Sequence, residues 1–160
     1  MKIDYKPTIE ELKEYGLINP GDKYAVCLFQ TESESNGVTT TMITSTVDYI
    51  MVANGNEVKL LDIDKKTGQY LDSFVVFEKA NLVFEKKNKN WIYASKGLFG
   101  GRYIGIRADY MGFIHSYLLP KKVNGYEQTE ARDELYNFVK EVYNAHHDEQ
   151  KRLYKENKKK

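Results

Sequence analysis

The run GLFGGRYIGIRADYMGF, Gly97 to Phe113, gathers residue types that can cradle a phosphate: glycines that let backbone N–H groups close on a ligand, with Arg102 and Arg107 among them. A dinucleotide fingerprint needs G-x-G-x-x-G between a strand and a helix, so that phosphate meets the helix N-terminus. The glycines here stand at 97, 100, 101 and 105, no G-K-[ST] follows, and the residues after Gly101 alternate as a strand does. They read instead as a turn at Gly97, Gly100 and Gly101, and a bulge or close backbone approach at Gly105. DIDKKTG gives Asp62 and Asp64 the first spacing of a calcium loop, but Lys66 takes the place of the third oxygen ligand and Gly68 comes one residue late. His146-His147-Asp148-Glu149 carries ligand types, yet helical neighbours diverge by about 100°. His146 shares its face with Gln150, a poor zinc ligand. His115, inside FIHSYLL, reads as a half-buried strand residue, with no G-x-S-x-G elbow or Cys–His signature beside it. Glu32 and Glu34 lie in the polar TESESNG, where nothing splits their pKa values as a catalytic pair requires. These residues assign no catalytic group, no metal and no cofactor, and the expectation is a protein that is not an enzyme.

The side chains that best suit a ligand are basic. Lys86, Lys87 and Lys89, with Lys96 and Arg102 on nearby loop ends, could hold an anionic headgroup at the mouth of a barrel. The same lysines also serve as solubilising hairpin residues and edge protection. Trp91, Tyr93, Phe99 and Tyr103 interleave with these cations as a base-stacking platform would. A net charge of +1 argues against a nucleic-acid partner and leaves core packing as the simpler reading.

These side chains need a scaffold. With 160 residues, 41% hydrophobic and 29% charged, the chain fits one folded domain, 1–160. Cys27, the single cysteine, lies in the apolar YAVCLF and reads as a core residue; it excludes an intrachain disulfide. The N-terminus lacks a signal-like pattern and no apolar run could span a bilayer, so the expectation is a cytoplasmic protein without an integral membrane segment.

Thr8 and Glu11 form a capping-box pattern for a short helix over 8–16, stopped by Gly16. Asn19-Pro20-Gly21-Asp22 is a turn, and the pattern then alternates over 23–119. Strands are expected at 23–31, 37–46, 48–53, 57–63, 69–77, 80–86, 91–95, 102–108 and 113–119. Asn54-Gly55, the loop 64–68, Asn88-Lys89-Asn90, the 97–101 segment and 109–112 turn the chain between them. Thr129 suits an N-cap for a helix over 129–157, whose apolar stripe is Leu135, Phe138, Val139, Val142 and Tyr143. That helix is roughly 43 Å long at 1.5 Å per residue, against about 17–20 Å for a typical strand, so its end from His146 onward overhangs.

A sheet with one apolar face must bury it, here by curling into a barrel or sandwich plugged by the last helix. Several segments carry a resemblance to the pleckstrin-homology-like (PH-like) superfold, in its small bacterial PH-like and GRAM-like forms. They are LKEYGLINPGDK, TTTMITSTVDYIMVANG, FVVFEKANLVFEKK, KGLFGGRYIGIRAD and the closing helix. The resemblance implies a mainly β fold, a bent antiparallel sheet capped by a C-terminal helix. It also implies a non-catalytic binding or interaction module for an anionic membrane lipid or a protein partner. The alternative is a small-molecule-binding barrel or small enzyme with an internal cavity, lined by inward polar groups such as His115 or Arg107.

Overall fold

Ile50-Met51-Val52-Ala53 and Leu60-Leu61 are apolar without alternation, so their strands must be covered on both faces. The computed structural model describes residues 1–35, 38–42, 47–108 and 114–159. It begins with helix α1 (Lys6–Glu14). The strands β1 (Lys23–Ser35), β2 (Val38–Met42), β3 (Val47–Ala53), β4 (Glu57–Asp64) and β5 (Tyr70–Glu78) follow. After a 3-10 turn (Lys79–Asn81) come β6 (Trp91–Lys96), β7 (Arg102–Arg107), β8 (His115–Leu119) and a small hairpin, β9 (Lys122–Val123) and β10 (Tyr126–Glu127). The chain ends in α2 (Thr129–Val139), a π-helical turn (Lys140–Asn144) and α3 (Ala145–Lys158).

The main sheet runs β5-β4-β3-β1-β8-β7-β6, with β2 paired to the outer part of β1, and its ladders are antiparallel. Among the described residues no ladder joins β5 to β6, so the expected barrel does not close and those two strands remain edges. One face of these strands contributes to a single cluster, from Ala25, Met51 and Leu60 to Ile92, Ile104 and Leu119, around Leu135, Tyr136, Val139 and Tyr143 of the helix. The sheet therefore bends around the helix. Phe138 and Val142, expected on the stripe, are half-buried against the same cluster. The opposite face of β1, β3 and β4 carries a second cluster, Val26, Ile50, Val52, Leu61 and Ile63, covered by Ile3, Tyr5, Ile9 and Leu12.

Several local expectations change. Thr8 caps no helix: Tyr5 is the N-cap residue, and the buried Thr8 hydroxyl donates to the Gly68 carbonyl at 2.6 Å, tying α1 to the β4–β5 loop. Gly68 suits that contact, because its φ is +76° and a Cβ there would stand 2.4 Å from Ile3. Asn54-Gly55 turns the chain without positive φ; the Asn54 side-chain oxygen accepts from the Asn56 and Glu57 N–H groups instead. Among the described residues the Asn-Gly pair with positive φ at both positions is Asn124-Gly125, between β9 and β10. The expected strand 80–86 is a 3-10 turn and an irregular segment with one bridge, Phe84 to Lys89. Thr129 is the first helical residue and Gln128 the N-cap. Residues 36–37, 43–46 and 109–113, parts of the expected segments 37–46, 109–112 and 113–119, lie outside the described residues.

Two helix-bound carboxamides complete the sheet. Leu28 pairs with Leu118, so two steps further the register sets Val26 opposite Pro120, but proline has no N–H to offer. The Gln128 side chain fills that slot: it accepts from Val26 N–H at 2.9 Å and donates to the Val26 and Pro120 carbonyls at 2.9 and 2.8 Å. At the β6 edge, Asn144 accepts from Ala94 N–H at 2.7 Å and donates to its carbonyl at 2.9 Å. The π turn adds a residue to the helical repeat, so that Tyr143 and Asn144 both face the sheet after Val139. Tyr143 also donates to the Asn54 carbonyl at 2.7 Å.

Asn144→Leu keeps the number and branching of heavy atoms but leaves both Ala94 peptide groups buried and unpaired. It is expected to lower unfolding free energy by about 1–3 kcal/mol in urea titrations. A change within error would mean that this bond pair contributes nothing.

Candidate functional site

The β6–β7 hairpin is held at its root by the pair Lys96 and Arg102. Gly97 N–H donates to the Gly101 carbonyl at 2.8 Å, and Gly100, with φ +84°, closes the turn. The Tyr103 ring lies across the root, where a Cβ on Gly97 or Gly101 would meet it at 2.8 or 2.9 Å. Arg102 donates to the Gly100 carbonyl at 2.7 Å and its guanidinium lies 5.2 Å from the centre of the Tyr136 ring. The turn is thereby braced from both sides, while Leu98 and Phe99 at its tip are 101% and 100% exposed.

Basic residues cluster in register at this end of the sheet. Lys96 ends β6, Arg102 starts β7, and Arg102 pairs with Leu119 at the end of β8. Two and three residues after Leu119 come the exposed Lys121 and Lys122. Glu127, opposite Lys122, is engaged by the Thr129 hydroxyl and N–H, which hold its carboxyl below the usual carboxylate range. Lys121 and Lys122 were not singled out in the sequence; the Pro120 strand stop before them was the available signal.

The structure does not bring Arg102 together with Lys86, Lys87 and Lys89. Trp91 pairs with Arg107 at one end of β6 and Lys96 with Arg102 at the other, five steps or about 17 Å apart at 3.4 Å per residue. Lys86 and Lys87 sit exposed on the turn preceding Trp91, closed by Glu85 N–H donating to the Asn88 carbonyl. The Lys89 ammonium lies 4.9 Å from the centre of the Tyr154 ring.

The other candidates are engaged in packing. His146 Nε2–H donates to the Leu82 carbonyl at 2.8 Å, and His147 packs on Tyr93 with centroids 4.9 Å apart, near Phe84 and Trp91. The start of α3 is therefore anchored, contrary to the overhang expected from His146 onward. Trp91, Tyr93, Phe99 and Tyr103 form no common platform: the first two meet His147, Phe99 stands at the tip and Tyr103 covers the hairpin root. The Asp64 carboxylate accepts from Lys66 and Thr67 N–H, which lowers its pKa and commits it to the turn. His115, half-buried, meets Phe29 edge-on at 5.0 Å, and burial lowers its pKa. Arg107 is also half-buried, on the β7 face opposite Ile104 and Ile106. Cys27 is fully buried and burial drives its thiol pKa far up. The side chains of Glu32 and Glu34 lie outside what the structure describes.

No family model and no curated protein matches the chain. Among solved structures it is similar to the hSac2 domain from human phosphoinositide phosphatase Sac2, at 15% identity and TM-score 0.39, over 82% of this chain and 76% of that one.

Among the described residues Asp48 is the buried acid. Burial raises its pKa and Lys65 offsets part of the rise. A carboxyl with a raised folded pKa binds its proton more tightly in the native state, so its contribution is fullest below the unfolded value of 3.8 and falls as pH rises through the folded value. Asp48→Asn is expected to be more stable than the parent at pH 7, the gap closing below pH ~3.8. Thermal melts across pH check this, and a variant less stable at pH 7 would contradict it.

Proposed function

We propose that the chain is a non-catalytic binding module of PH-like kind whose ligand is an anionic membrane surface, engaged by the β6–β7 tip. The carrying observation is the fully exposed Leu98-Phe99 pair on a braced turn among Lys96, Arg102, Lys121 and Lys122. A free Leu-Phe pair in water is a cost that a lipid interface removes, at about 1.5–3 kcal/mol for each side chain buried. Each lysine or arginine near an anionic bilayer adds about 1 kcal/mol, and that part weakens with salt. Together these terms describe reversible, peripheral attachment.

Of the four basic residues first considered as a lipid site, this reading keeps Arg102 and leaves Lys86, Lys87 and Lys89 outside the contact. The filled inner face supports a binding surface over a ligand chamber: Leu135, Tyr136, Val139 and Tyr143 occupy the space inside the bend. Among the described residues no helix is long and apolar enough to cross a membrane, in keeping with attachment from one side.

Co-sedimentation with phosphatidylcholine vesicles, with and without phosphatidylserine, tests the proposal. Pelleting is expected with phosphatidylserine, tenfold or more weaker for Leu98→Ser/Phe99→Ser, reduced for Lys121→Glu/Lys122→Glu and unchanged for Lys86→Glu/Lys87→Glu. Equal pelleting by all variants, or none by the parent chain, would overturn it.

A further inference from the structure

The two sheet edges are treated differently. Asn144 takes the Ala94 peptide groups of β6, whereas β5 lies last in the strand order with no strand beyond it among the described residues. β5 reads YLDSFVVFE, without proline or lysine to blunt the edge; a bulge at Asp72, with φ +52°, interrupts its first part, and Phe74–Glu78 beyond it pairs regularly with β4. Leu71, Phe74, Val75 and Val76 on it are exposed. A strand that is apolar and open along one side is a template for another extended segment.

Charge selects the occupant. Asp72 and Glu78 are the charged residues of β5, and both are exposed. Two copies pairing antiparallel through β5 would bring the carboxylates of Asp72 and Glu78 from both chains to one interface, a repulsion that disfavours self-association. Beside the strand's end lies a cleft of about 440 Å³. Val76, Leu82 and Ala108 supply apolar wall, Glu78 and Glu85 supply carboxylates, and the lining includes no lysine or arginine. Lys86 and Lys87 follow Glu85 on the turn, outside the lining. Asn90 also lines the cleft, and its carboxamide oxygen is buried without a hydrogen-bond partner. A buried acceptor left unpaired is costly and calls for a donor.

We propose that β5 docks an extended basic segment of a partner protein, which adds as a strand and places a lysine or arginine in the cleft between Glu78 and Glu85, donating to Asn90. Peptide groups along the edge supply the ladder. The apolar side chains of β5 pack alternate residues of the segment, and the carboxylates select the cation. Cleft and lipid-facing tip lie at opposite ends of the β6–β7 hairpin, so both can be occupied together and neither proposal depends on the other.

The test uses the full chain and three fluorescein-labelled synthetic peptides alternating valine with lysine, threonine or glutamate, read by anisotropy and by amide chemical shifts. The valine–lysine peptide is expected to bind at least tenfold more tightly than the valine–glutamate one, with shifts over Tyr70–Glu78 and at Asn90. Glu78→Lys/Glu85→Lys should abolish or reverse that preference, and Asn90→Leu should weaken binding threefold or more. Glu78 and Glu85 are exposed, so unchanged thermal melts will separate lost binding from lost fold. Leu98→Ser/Phe99→Ser should bind the peptide as the parent does. Equal affinity for all peptides, shifts confined to another surface, or a dimer formed through β5 in place of peptide binding would overturn the proposal.

Discussion

A sheet that does not close leaves a row of peptide groups at each edge, and wherever a row is buried it needs partners. Here the C-terminal helix supplies them with side chains. The Gln128 carboxamide stands in for the strand continuation that Pro120 forbids, and the Asn144 carboxamide serves as a one-residue partner strand for Ala94. Both amides leave the polypeptide free to bend around Leu135, Val139 and Tyr143, because neither requires the β5 and β6 edges to meet. The π turn belongs to this arrangement, since a regular α-helical repeat would not present Tyr143 and Asn144 together.

From that constraint follows a division of the surface. With its inner face filled and Ala94 of the β6 edge paired by Asn144, the sheet keeps free the β6–β7 tip, where two apolar side chains stand in water on a turn stiffened by Arg102 and Tyr103. It also keeps the β5 edge, where apolar exposure adjoins two carboxylates. One surface is apolar beside cations, the other apolar beside two carboxylates. The sheet joins them, with the β6–β7 hairpin running between the two.

Much of this was legible in the sequence, and what was not has a physical reason. Alternation over 102–108 placed Ile104 and Ile106 inward, and the Asp64–Gly68 turn followed from residue types that determine backbone conformation locally. The bent sheet with its helical cap followed from hairpin spacing and the Leu135 stripe. Side chains that act across the chain were not legible. Thr8 has a capping pattern but donates to a carbonyl 60 residues away, and Gln128 and Asn144 look like ordinary surface amides until the edges they meet are known. Asn54-Gly55 and Asn124-Gly125 are the same dipeptide in two turns of different kind. The lid formed by α1 on the second face had a signal, the unbroken runs at 50–53 and 60–61. The basic edge divided because Arg102 and Lys89, close in sequence, sit at opposite ends of a strand.

Hydrogen exchange at single amides tests most directly whether the helix carboxamides complete the sheet. The Val26 and Ala94 N–H groups are predicted to exchange only through global unfolding, as slowly as the slowest core amides. Exchange of Ala94 at the rate of a solvent-exposed strand edge, with the rest of β6 still protected, would contradict the pairing of that edge by Asn144.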